Sequence, residues 1–249
     1  MLRFQKFFSP SMVLFGITLV MLSGFFVSSF LAIVGVTLLF WGAILYYVKP
    51  TKQVPFSFVA ATSNSSTDNI NKFLSAINVV RKGYYLPPKS LHDTNSSLVF
   101  IPRHTVHSIP TSELTDNLFA SKNDGVLLTP PGYDFSRIME QRFGQSFSKV
   151  DLQILRIQIP KLLVEELEIS ENVDIQINND SVIFEIQGNI FINECEQAQK
   201  YPLVHETVGC ILSSSLACVL AKVTGKAVII KNEKIVEKTT TIEYQIIEE

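Results

Sequence analysis

Four side chains in the last third of the chain have types and spacing that could hold a metal ion or run thiol chemistry. They are Cys195, His205, Cys210 and Cys218, in the pattern C-x9-H-x4-C-x7-C. Thiolate and imidazole are the preferred ligands of zinc, but structural zinc sites generally present cysteines as short-spaced pairs, and this pattern has none. The competing account makes Cys210 and Cys218 small buried apolar residues of one packed helix. Eight residues apart on a helix, they share a face but lie roughly 12 Å apart along the axis, too far for a bond. Three cysteines are an odd number, which argues against a disulfide framework and for free thiols. The main expectation is therefore no metal and no cofactor; a metal- or redox-dependent sensor or enzyme using Cys195, His205, Cys210 and Cys218 is the alternative.

Other candidates carry less. His104 and His107 form an H-x-x-H without a third ligand, which reads as a surface loop pair. Ser213, Ser214 and Ser215 lack the glycines of a nucleophile elbow, and the turn Thr129 to Gly132 lacks a phosphate-loop lysine. With no dinucleotide fingerprint, kinase motif or triad, no catalytic residue is assigned and the sequence leans away from an enzyme.

The elements that must position these residues begin with "GCILSSSLACVLAKVTGKAVII", Gly209 to Ile230. It is uncharged only from Thr207 to Ala221, short of the ~20 residues that cross a bilayer. Glu206 before it, Lys222 after it and Gly225 as a C-terminal cap predict a helix of about 18 residues at the centre of a folded domain. Before it, Val173, Ile175 and Ile177 alternate with polar residues, as do Val182, Phe184 and Ile186 across a "NND" turn, which predicts a β-hairpin; "KAVIIKNEKI" and "TTIEYQII" predict another after it. Two short proline-bounded strands, "SLVFIP" and "GVLLTPPG", and helices from Asp68, over 133–143 and over 150–167 with a break at Pro160, complete the pattern.

The chain's mean hydropathy is +0.25 with 18% charged residues. The excess sits at the start, where no charged residue or histidine occurs between Lys6 and Lys49. One helix of that length would run roughly 63 Å, twice the ~30 Å hydrocarbon core, so two spans are expected, 9–26 and 30–48, turning at "SGFFVSS". Arg3, Lys6, Trp41, Tyr46, Tyr47, Lys49 and Lys52 are the membrane-interface residues, aromatic rings beside cations. All four basic residues of 1–52 flank the hairpin on one side, which orients both termini to the cytoplasm and predicts a two-span protein of the cell membrane. A cleaved signal peptide would leave a second apolar span directly after the cut, and is disfavoured. Residues 53–249 carry 17 basic against 23 acidic side chains, so nucleic acid is not an expected partner.

The expected architecture is an N-terminal transmembrane helical hairpin followed by an α+β domain, two β-hairpins around a buried central helix. Residues 1–8 form a cytoplasmic N-terminus, 49–68 a linker and 69–249 the domain, with a possible subdivision near 125.

The ordered motifs "YLPPKSL", "LVFIP", "LLTPPG", "KVDLQ", "IPKLLVEELEI" and "GCILSSSLACVLAKVTGKAV" resemble a family of archaeal two-span membrane proteins with no assigned function. Members of that family tend to have cysteine where this chain has Ser213. The closing helix and hairpin also resemble the vinyl-four-reductase, or hydrocarbon-binding, domain, although the last hairpin lacks that domain's cysteines. The second resemblance implies an α+β fold, dimerisation and a small apolar ligand. The function expected is a membrane-anchored cytoplasmic binding or scaffolding module, with membrane lipid and a second copy or a membrane-complex partner as neighbours; an accessory subunit of a larger membrane complex is a further alternative. The glycines Gly16, Gly24, Gly35 and Gly42 offer close-packing faces for such a partner.

Overall fold

A computed structural model describes residues 2–47, 56–77, 79, 82–88, 97–103 and 125–247. The chain divides into two units, Met1–Pro55 and Phe56–Glu249.

The first unit is a helical hairpin, α1 (Leu2–Phe26) and α2 (Ser29–Tyr47). The turn falls inside "SGFFVSS", where Val27 takes a positive φ of 45°. Pro10 lies eight residues inside α1 rather than in its first turn. Three of the four glycines are spent on the hairpin itself. A Cβ on Gly16 would come within 2.9 Å of Leu39 Cγ, on Gly35 within 2.7 Å of Val20 Cγ2, and on Gly42 within 2.7 Å of Val13 Cγ2, while Gly24 faces open space. The outward faces carry Phe15, Met21, Phe25, Phe30, Ile33 and Phe40, all exposed. Trp41 stands exposed with its ring edge-on to Phe40. Lys49 and Lys52 lie outside the described residues, as do His104 and His107.

The second unit opens with α3 (Phe56–Ala76). The helix expected from Asp68 thus starts twelve residues earlier, and Asp68 is an interior residue paired with Lys72 one turn on at 2.6 Å. Its apolar face is as the spacing requires, with Leu74 buried and Ile70, Phe73 and Ile77 packed beside it. Seven antiparallel strands then form one sheet in the order β3-β2-β1-β6-β7-β5-β4. These are β1 (Tyr84–Leu86), β2 (Leu98–Pro102), β3 (Gly125–Leu128), β4 (Asn172–Asn178), β5 (Ser181–Gln187), β6 (Ala227–Val236) and β7 (Thr239–Ile247). The two expected hairpins are β4–β5 and β6–β7, joined edge to edge through β5–β7. They lie side by side in one sheet, and the inward residues of both face the same helical layer.

That layer is centred on α8 (Ile211–Thr224), which crosses β1, β6 and β7, with α5 (Leu152–Lys161) over β4. Pro160 stays within α5, and the backbone adjusts in a π turn at Leu162–Glu166. Helix α4 (Tyr133–Phe143) ends at Gly144 with φ 77° and packs on α8 from outside. It approaches so closely that a Cβ on Gly132 would sit 2.5 Å from Ile211 O and 2.6 Å from Ser215 Cα. The three consecutive serines serve this packing. Ser214 Oγ accepts Gly132 N–H at 3.0 Å, Ser215 Oγ donates to Leu212 O at 2.8 Å, and Ser213 caps the helix. All three are fully buried within their own chain.

Glu140 ties α4 to α8. Its carboxylate accepts from Lys222 Nζ at 2.8 Å, Phe147 N–H at 2.9 Å and Ser146 Oγ at 2.9 Å. Burial opposes its ionisation, but these three donors win and hold the carboxyl below its ordinary range. A lowered folded value contributes stability that is present above the unfolded carboxylate pKa and disappears as pH falls through the folded one. Glu140→Gln is expected to lower the melting temperature at pH 7, by ~1–3 kcal/mol of stability, and to flatten its decline on acidification. Calorimetry from pH 7 to pH 3 on both proteins checks this; parallel curves would refute it.

Candidate thiol and metal centre

The centre is built where three helices turn back on one another. Helix α6 (Ile192–Gln199) carries Cys195, and α7 (Pro202–Val208) starts with proline in its first turn and carries His205. Gly209, at φ 67° and ψ −171°, then breaks the helix. The helix expected from Glu206 therefore begins only at Ile211, with Cys210 as its N-cap. The cap is reciprocal: Ser213 N–H points to Cys210 Sγ at 3.5 Å, and Cys210 N–H donates to Ser213 Oγ at 2.9 Å. The Cys210 sulfur thus sits at the positive end of α8.

This folding brings Cys195 and Cys210, fifteen residues apart, to a Cα–Cα separation of 5.0 Å and joins them as a disulfide. The expectation of free thiols is corrected here. The odd count was a true signal for one cysteine only, because the α6–α7 reversal brings the other two together. Cys218 is the remaining free thiol, two turns along α8 and buried. Burial pushes it up to about 12, so it is an inert packing residue. It drops out of the expected four-residue set.

Glu233 takes its place. Beside the linked cysteines its carboxylate completes a group whose ligand atoms all lie within 4.8 Å of one another. Strand alternation would have turned Glu233 to solvent. A register shift between Ile230 and Asn232 inserts Lys231 as an extra residue, so Glu233 lands opposite buried Ile242 on the helix-covered face. Lys82 Nζ holds the bulge, donating to Ile230 O at 3.0 Å and also to Lys231 O. The Glu233 side chain is 1% exposed, and neither oxygen has a hydrogen-bond partner among the described residues. Burial raises its pKa, with Ser213 and His205 pulling the other way. His205 Nδ1 lies 3.8 Å from Glu233 Oε2 and is itself buried without a hydrogen bond among the described residues. A cavity of about 360 Å³, lined by Lys82, His205, Lys231 and Glu233 among others, opens beside the group. A separate cavity of about 950 Å³ between α4 and α8 is lined by Arg137, Glu140 and Lys222 together with Pro87, Phe147 and Val219, a mixed polar and apolar surface.

Sequence reasoning thus located two of the three clustered residues and the histidine beside them, and missed Glu233. The available signal was the break in alternation at "IIKNEKI", where a charged residue falls on the inward face.

One helical stretch among the described residues, Pro202–Thr224, is long and apolar enough to cross a membrane, but 78% of its apolar window is buried in the domain and Gly209 interrupts it. The apolar stretches of the N-terminal hairpin, Pro10–Phe26 and Ser29–Leu45, are shorter. No curated protein and no solved structure matches the chain. A family model does match, over residues 9–244, and by that match the chain belongs to the family described as a domain of unknown function, DUF7982.

Proposed function

We propose that the chain is a membrane-anchored cytoplasmic binding module whose folded domain changes state with the oxidation of Cys195 and Cys210. The observation that carries the reading is the linked pair beside a buried carboxylate that has no hydrogen bond among the described residues and only His205 Nδ1, at 3.8 Å, as a charged neighbour. Support for the anchor is the apolar hairpin with large side chains exposed on its outer faces, which water tolerates poorly. Support for the cytoplasmic side is the basic flanks of that hairpin. In that compartment a disulfide is ordinarily transient and redox-sensing.

The step balances with a low-molecular-weight disulfide as oxidant. Cys195 and Cys210 lose two thiol protons and two electrons, their S–S bond forms, the oxidant's S–S bond breaks, and two small thiols leave. Closing a loop of fifteen residues stabilises the oxidised form by ~3 kcal/mol. Reduction is therefore expected to lower the domain's melting temperature by roughly 6–12 °C, with the hairpin unaffected.

Acid-quenched cells treated with a mass-tagging maleimide provide the test. Both thiols should be tagged in unstressed cells and protected after exposure to a disulfide oxidant, returning on recovery. A bond permanently formed, or never formed, overturns the reading. Protease added to sealed cells and to inverted vesicles should cut the domain only in the latter.

A further inference from the structure

We propose that Cys195, Cys210 and Glu233, once the cysteine pair is reduced, form a buried site for one zinc ion. The inference deepens the redox reading and rests on it only for the pair being reducible.

Three independent features meet at the site. The three ligand atoms already lie within 4.8 Å of one another. Bonds of ~2.3 Å to sulfur and ~2.0–2.2 Å to oxygen place tetrahedral ligands about 3.3–3.8 Å apart, so a small inward movement of the carboxylate and relaxation of the two sulfurs suffice. Glu233 is the second feature: its side chain is 1% exposed, both oxygens lack a hydrogen bond among the described residues, and its charged neighbour, His205 Nδ1, stands off at 3.8 Å. Buried carboxylates are ordinarily paired or bound to a metal. The third is the scaffold. A bulge braced by Lys82 aims this one side chain inward, and re-aiming a side chain is one of the uses of bulges beside functional sites.

The donor set selects the ion. Two thiolates and a carboxylate suit a borderline-soft tetrahedral cation and disfavour calcium and magnesium, which take oxygen ligands. The positive end of α8 and the Ser213 N–H directed at Cys210 Sγ support the anionic sulfur. Glu233 and His205 both line the 360 Å³ cavity, which gives the ion a route toward the buried ligands. Binding breaks two S–H bonds and sends both protons to solvent, while the zinc exchanges water ligands for two bonds to sulfur and one to the Glu233 carboxylate, with no electron transferred. The oxidised pair has no thiolate to offer, so zinc and the disulfide exclude each other.

The test uses the full chain in detergent, reduced with a phosphine and verified by mass to carry three free thiols. Zinc is titrated against a chromophoric chelator, and cobalt is used as a spectroscopic substitute. One ion per chain is expected, with a thiolate-to-cobalt charge-transfer band. Cys195→Ser and Cys210→Ser should abolish the band, Glu233→Gln should weaken zinc at least tenfold, and Cys218→Ser should change nothing. Zinc should also slow alkylation of Cys195 and Cys210 in the wild-type chain, a readout that needs no variant to fold. Stoichiometric binding absent from the reduced, folded chain, or unaltered by Glu233→Gln, overturns the site. If zinc is absent while the thiols still cycle in cells, the metal site falls and the redox reading stands. If zinc binds but the pair never oxidises in cells, the site stands and the redox reading falls.

Discussion

Gly132→Ala is expected to cost the globular domain about 3 kcal/mol or more, at the upper end of what overpacking does, and to lower its melting temperature by roughly 6–12 °C. The reason is purely steric. Gly132 has an ordinary φ of −90°, so alanine suffers no backbone strain. Its methyl, however, would lie 2.5 Å from Ile211 O and 2.6 Å from Ser215 Cα, both backbone atoms of α8's first turns. A rotamer change cannot relieve a clash with backbone, so α4 must retreat as a unit, and Gly132 N–H loses Ser214 Oγ. Differential scanning calorimetry of the two proteins measures the effect. A loss below 1 kcal/mol would mean that α4 is not seated on α8 as described. Gly144→Ala is the informative contrast: nothing lies within 4 Å of its Cβ, but its φ of 77° is left-handed, so any loss there is conformational.

Phe184→Ala is expected to cost ~3–5 kcal/mol, the range for truncating a fully buried aromatic. Phe184 is fully buried in β5, and its ring meets that of Tyr244 edge to face at 5.6 Å and 87°. Tyr244 in turn donates its hydroxyl to Ser213 O at 2.8 Å, so the phenol fixes the start of α8. Removing Phe184 leaves Tyr244 without a wall, and the cap that holds Cys210 loosens with it. Two measurements should move together, the urea midpoint downward and the rate of Cys210 alkylation in the reduced chain upward. A drop in stability with alkylation unchanged would show that the cap is independent of the Tyr244 clamp.

The parts of this architecture that repeat a local rule were legible in the residues. Helix α4 and its Gly144 cap, the β4–β5 hairpin and the turn near Val27 stand where cap, alternation and permissive residues place them. What escaped was non-local. Strand β1 is three residues, "YYL", too short to show alternation, and exists because it is clasped between β2 and β6. Polar "ATSNSSTDN" reads as coil by composition, yet it continues α3, whose apolar face further along supplies the packing. The cysteine pair escaped for the same kind of reason. Its two members come from different helices, and only the reversal at Lys200 and Tyr201 and the break at Gly209 make them neighbours.

The seven-stranded sheet has a seam. Among the described residues, β1 meets β6 at one pairing position, Tyr85 with Val228, whereas β6–β7 and β5–β7 run in long continuous ladders. Within the sheet the three strands β1, β2 and β3 therefore swing on the remaining four like a door on a short hinge, braced by Lys82 on the β6 bulge and by α8 across β1. Its latch is the Tyr85 hydroxyl, which donates to Val208 O, two residues before Cys210. Swinging the door withdraws the latch from the very corner where the thiol pair sits. In amide exchange the sheet should behave as two leaves with separate opening energies, and the weaker leaf is the one that guards the sulfur.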